Sequence, residues 1–106
     1  DEDRLRDMFD VMAELEALCA SRAALSMTPA QRTGLQDHHR RMGEAVRAGD
    51  VKGYRAANTL FHALISTGSG NGYLRDLTLA TRTRLDPYRS AQLEAPSRMA
   101  ASYAEH

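Results

Sequence analysis

Asn58 and His62 stand four residues apart within Gly53–Gly68, among Tyr54, Phe61 and Ile65. On a helix that spacing puts an amide oxygen and an imidazole on one face, a turn apart, where both can meet one ion or ligand. The same pair also reads as a hydrogen-bonded couple at the edge of a core. A first-row metal takes three or four ligands, and imidazoles from separate bundle helices are a common source of them. His106 joins this set only if its helix returns beside the third. His38 and His39 are adjacent, face different ways on a helix and sit beside Arg40 and Arg41, so solvent is their expected destination.

Arg82 and Arg84, with Tyr88 one turn after Arg84, form a second set. On an outer face they are solvated cations. Turned inward, an arginine forks onto a carboxylate, because its planar donors match the two oxygens. A buried arginine without an anion is costly, so an inward one predicts an acidic partner or ligand.

Most catalytic templates are missing. There is no His-Glu-x-x-His, no Glu-x-x-His pair, no cysteine pair for zinc and no nucleophile elbow. The glycines of Gly68–Gly72 lie between two helical patterns rather than after a strand, which makes them a helix-helix turn and not a phosphate loop. Cys19 is the only cysteine, so no disulfide forms within the chain, and its register with Met8, Met12 and Leu15 predicts a buried thiol.

The elements that must position these residues are helical. The chain has 106 residues, 42% hydrophobic and 26% charged, which suits one globular domain spanning 1–106. Fourteen basic residues balance fourteen acidic ones, so no global field favours nucleic acid or an anionic membrane. Seven of the acids lie in residues 1–16, where they suit a helix N-terminus. Thirteen of the fourteen cations are arginine, so an anion held inside meets a guanidinium. No run approaches the ~20 apolar residues of a membrane span, and no signal-peptide pattern opens the chain.

Leu5, Met8, Met12, Leu15, Cys19 and Arg22 predict a first amphipathic helix over about 5–25, with Val11 and Leu18 widening its buried stripe and no clear cap at its start. Thr28-Pro29-Ala30-Gln31 starts a second helix, which Gly49 stops. Asp50 caps a third, with Tyr54, Ala57, Phe61 and Ile65 at the centre of its apolar face, Asn58 and His62 along the edge, and Leu60 outside it. Asn71 caps a fourth, which Pro87 is expected to kink or divide. Ser97 caps a last segment, from Arg98 to His106. With no alternating strand pattern, the fold class is all-α: an antiparallel bundle of about five to six helices that lacks its final helix.

The order of motifs resembles a known family. Phe9–Ala20, Thr28-Pro29, Ala48-Gly49-Asp50, Asn58–Leu64, Gly70–Leu74 and Glu105-His106 together are similar to the C-terminal effector domain of GntR-type transcription regulators, FadR subgroup. The resemblance covers essentially the whole chain. It implies a ligand-sensing and dimerising domain of a bacterial, cytoplasmic regulator rather than an enzyme. DNA is then contacted only through a winged-helix domain that this segment does not include.

By position, the resemblance also assigns residues. Asn58 stands where the family has aspartate, and with His62 and His106 it is the expected site for a divalent metal such as zinc or nickel. Arg82, Arg84 and Tyr88 are the expected contacts to a carboxylate effector, and Met12 stands where the family's first helix carries arginine. Two other readings are a metal-free domain of the same fold that takes a larger or apolar effector, and a ligand-free helical interaction module.

Overall fold

The computed structural model describes residues 1–92 and 103–105. Four helices account for nearly all of them: α1 (Glu2–Ser26), α2 (Pro29–Ala48), α3 (Val51–Gly68) and α4 (Gly72–Gln92). No strand occurs among the described residues, so the all-α class holds. The expected cap at Ser97 and the residue His106 lie outside the described residues.

Local chemistry sets the helix ends. Asp1 does cap α1, its carboxylate accepting from the Arg4 amide at 2.8 Å, where the sequence offered no clear cap. Thr28 and Gln31 form a reciprocal capping box at the start of α2, with Pro29 just inside it. Gly49 ends α2 at φ 69°, a left-handed conformation that a side chain resists. Asp50 accepts from the Gly53 amide to start α3, and Asn71 accepts from the Leu74 amide to start α4. α4 runs undivided through Pro87.

α3 is the central helix, packing against α1, α2 and α4, while α1 also packs against α4. Between α2 and α3 the core is Met42, Tyr54 and Phe61, with Leu35, Val46, Ala57, Ile65 and Tyr103 packed around it. Burying such side chains supplies about 1.5–3 kcal/mol each before the entropy of ordering them is set against it. A second seam joins α1 and α4, where Met12, Cys19, Leu74, Thr78 and Leu85 are buried. Cys19 Sγ lies 3.4 Å from Thr78 Oγ1, so the thiol is an interior group, as its register predicts. The ends of α1 and α3 are tied by Ser26, whose hydroxyl is 2.8 Å from the Gly68 carbonyl oxygen. A Cβ at Gly68 would come within 2.7 Å of the Met27 side chain, so a larger residue there would have to displace Met27.

Three expectations change. Val11 and Leu18 do not widen the buried stripe of α1 but are exposed, because α3 and α4 cover only the side carrying Met12, Glu16, Cys19 and Ala23. Arg22 is exposed as well. His38 and His39 do not point to solvent: His38 is buried with Nε2 2.7 Å from the Ala57 carbonyl oxygen, and His39 stacks on Tyr103 at 4.5 Å between ring centroids.

Candidate functional site

Asn58 and His62 lie on one side of α3, as their spacing predicts, but they meet different neighbours. His62 turns towards α1, where its Nδ1 lies 3.0 Å from Glu16 Oε2. The same carboxylate oxygen accepts from Arg82 Nη1 of α4. Glu16 thus holds α3 and α4 at once, and a single acid links three helices.

Burial governs the protonation of this cluster. Burial, the largest influence on His62, lowers its pKa from the ordinary 6.5, and the Arg82 and Arg89 charges act the same way; the contact with Glu16 only partly offsets them. The imidazole is therefore neutral at neutral pH. It then donates from Nδ1 to the carboxylate. Burial pushes Glu16 up, but the His62 hydrogen bond and the neighbouring positive charges outweigh it, and its pKa falls below 4.5. Arg82 is lowered by burial and by Arg89, against the pull of Glu16 and Asp86, and a guanidinium in that position stays charged.

Arg82 is only 4% exposed and reaches two places. Its Nη1 goes to Glu16, while its Nε has no partner among the described residues. Asn58, 3% exposed, is in the same condition: its Oδ1 is buried without a donor. Both residues line one cleft of about 450 Å³ between α3 and α4, whose rim carries Lys52, Arg55, Asp86 and Arg89. The lining is thus rich in cations, with one acid among them. A buried donor and a buried acceptor left open on the same cleft are each costly, and a ligand carrying both complementary groups would relieve them. Arg89 also reaches the first helix, where its Nη1 lies 3.9 Å from Met12 Sδ.

The other expected residues lie elsewhere. Arg84 and Tyr88 are exposed on another side of α4 from Arg82, about 120–160° away round the helix by residue spacing, and do not line the cleft. His106 is outside the described residues. Of the residues expected to hold a metal, the described ones are His62, whose Nδ1 is engaged by Glu16, and Asn58, whose side-chain oxygen is neutral. No group of three or more His, Cys, Asp or Glu assembles among the described residues, and two donors hold a first-row metal only weakly.

Sequence reasoning missed Glu16, Arg89, Lys52 and Arg55. Glu16 is offset by only one turn from Met12 and Cys19, and that register, beside an inward arginine needing an anion, was the available signal.

A family model for the FCD domain, the C-terminal effector-binding domain of GntR-family regulators, matches residues 7–106. The chain belongs to the FCD family. No curated protein and no solved structure matches it. The FCD match covers all four of the site's partners: Glu16 on α1, Asn58 and His62 on α3, and Arg82 on α4. An FCD domain is a ligand-binding unit of a transcription regulator, and its family is regulatory rather than catalytic. No helix among the described residues is long and apolar enough to cross a membrane.

Proposed function

We propose that this FCD domain senses a small organic acid in the cleft between α3 and α4, and that occupancy controls DNA binding by a separate winged-helix domain of a bacterial, cytoplasmic regulator. The observation that supports this reading is the buried Arg82, which lines the cleft with its Nη1 fixed by Glu16 and its buried Nε without a hydrogen-bond partner among the described residues. A guanidinium already oriented on one edge loses little freedom when its other edge meets a carboxylate. Asn58 Oδ1 accepts from a hydroxyl or amine of the same ligand, and Lys52, Arg55 and Arg89 attract it electrostatically. A ligand touching α3 and α4 together favours whichever arrangement of the helices brings its contacts closest. Regulation requires that its affinity differ between the two arrangements of the regulator.

The proposal has a metal form. There His62, Asn58 and His106 hold a divalent metal such as zinc or nickel. When bound, the metal supplies a Lewis-acidic point for an effector oxygen, and Glu16 orients His62 for it. It is tested by zinc or nickel uptake in equilibrium dialysis: stoichiometric binding by the native chain, lost in His62→Ala, supports it, and equal uptake by both removes it.

The acid reading is tested by thermal unfolding against a panel of mono-, di- and hydroxycarboxylic acids. A ligand at about one hundred times its Kd adds about 2.7 kcal/mol, a rise on the order of 10 °C for a domain of this size. A rise for at least one acid, abolished in Arg82→Gln, is the expected result. No rise across the panel, or a rise retained by Arg82→Gln, overturns it.

A further inference from the structure

The cleft between α3 and α4 carries its charges at two levels. α3 ends at Gly68 and α4 starts at Gly72, so a short turn lays the two helices side by side and antiparallel. Asn58 and Arg82 line the cleft at one level, and both are almost fully buried. Lys52 precedes Asn58 by six residues on α3, and Arg89 follows Arg82 by seven on α4. On antiparallel helices these offsets run the same way and put Lys52 and Arg89 at a second level, about 9–10 Å along the cleft.

The two levels differ in what answers them. At the first, Glu16 engages Arg82 Nη1, while Arg82 Nε and Asn58 Oδ1 have no partner among the described residues. At the second, neither Lys52 nor Arg89 takes part in a salt bridge among the described residues. Lys52 is exposed and stands in the first turn of α3, where the helix dipole disfavours a cation and no acid follows the Asp50 cap.

Charge and spacing together define the ligand. Lys52, Arg55, Arg82 and Arg89 are set against two acids, Asp86 on the lining and Glu16 at Arg82, which leaves an excess of two positive charges. A monocarboxylate answers one of them. An ammonium is repelled by the same cations, so the group that donates to Asn58 Oδ1 is a hydroxyl. A phosphate gathers its charge on one centre, whereas the cleft spreads its cations over nearly two helical turns. A volume of about 450 Å³ has room for a ligand that reaches both levels.

We infer that the effector is a hydroxydicarboxylate: its hydroxyl-bearing end meets Asn58 and Arg82, and its second carboxylate is read by Lys52 and Arg89. Lys52 is then the residue that separates diacids from monoacids. The inference rests on the acid reading of this cleft and adds the second charge to it.

Titration calorimetry with matched acids tests it. Malate and 2-hydroxyglutarate are compared with lactate and 2-hydroxybutyrate, which lack the second carboxylate, and with inorganic phosphate. The better diacid is expected to bind about ten-fold tighter than either monoacid or phosphate, with an advantage that shrinks as salt is raised. Lys52→Gln, an exposed substitution that leaves the core untouched, is expected to weaken the diacid about ten-fold and the monoacids no more than about three-fold. Lys52 is also the only lysine, so its acetylation, read by mass spectrometry, reports on one side chain. The diacid is expected to protect it and lactate to leave it reactive. Monoacids or phosphate that bind as tightly as the diacids, or a Lys52→Gln loss equal for both acid classes, overturn the inference while leaving the acid reading of the cleft in place. No heat from any of the acids overturns both.

Discussion

Glu16 Oε2 accepts from Arg82 Nη1 and, through the same atom, lies 3.0 Å from His62 Nδ1. One oxygen on α1 therefore fixes a cation of α4 and an imidazole of α3. The consequence is that the open edge of Arg82 is aimed before any ligand arrives, and the account of this domain turns on that edge.

Removing the acid should be expensive. Glu16→Gln leaves Arg82 almost fully buried without its counter-charge, and breaking such a pair costs on the order of 3 kcal/mol, reduced here because Glu16 keeps partial contact with solvent. Urea denaturation should show a loss of about 2 kcal/mol. Sulfate should restore more stability to this variant than to the native chain, since the guanidinium then lacks an anion. Equal responses to sulfate would mean that Arg82 does not depend on Glu16.

Stability should fall on acidification from neutral pH. His62 has its pKa below 6.5 in the fold and near 6.5 when unfolded, so between those values the unfolded chain binds a proton that the folded chain does not. Stability then rises with pH across that window, by at most about 1.4 kcal/mol per pH unit for one proton. Glu16, lowered from 4.5, adds a further loss of the same sign below that value. Denaturation midpoints measured between pH 7.5 and 5 should decline in the native chain and flatten in His62→Gln. A native profile that rises on acidification would show the imidazole to be charged in the fold.

The two arginines of α4 should separate cleanly. Arg82→Gln is expected to abolish stabilisation by an organic acid, whereas Arg84→Gln and Tyr88→Phe, on the exposed side of the helix, should leave it within about 0.5 kcal/mol of the native value. Titration calorimetry of the three variants with one acid distinguishes them. An effect of Arg84→Gln matching that of Arg82→Gln would move the site to the other face.

The core between α2 and α3 should respond as a packed interior. Met42 is fully buried against Tyr54 and Phe61, so Met42→Ala should cost about 3 kcal/mol by chemical denaturation. Thr28→Ala, which removes one half of the capping box, should cost about 1 kcal/mol. Smaller losses at Met42 would indicate a core able to collapse into the gap.

The helices were legible because their ends are written in local chemistry. Thr28-Pro29-x-Gln31, Gly49-Asp50 and Asn71 each specify a cap within four residues, and the structure uses all of them. The burial of Tyr54, Phe61, Asn58 and Cys19 followed equally from helical period. What periodicity lacks is knowledge of which side of a helix finds a neighbour. Val11 and Leu18 look like core by composition, yet no helix covers them; His38 and His39 look like surface beside two arginines, yet α3 and Tyr103 cover them. The pairing of Glu16 with Arg82 joins residues 66 positions apart, a distance at which no local pattern carries information. The requirement that an inward arginine find an anion was readable, but which acid would answer it was not.

The most direct measurement follows the Arg82 Nε–H resonance by NMR during titration with an organic acid that stabilises the domain. Closure of that open edge onto a carboxylate predicts a progressive shift of the Arg82 Nε–H signal and its protection from solvent exchange, saturating at the same concentration as the thermal effect. Saturating stabilisation with an unmoved Arg82 signal, while another guanidinium responds, would contradict the account.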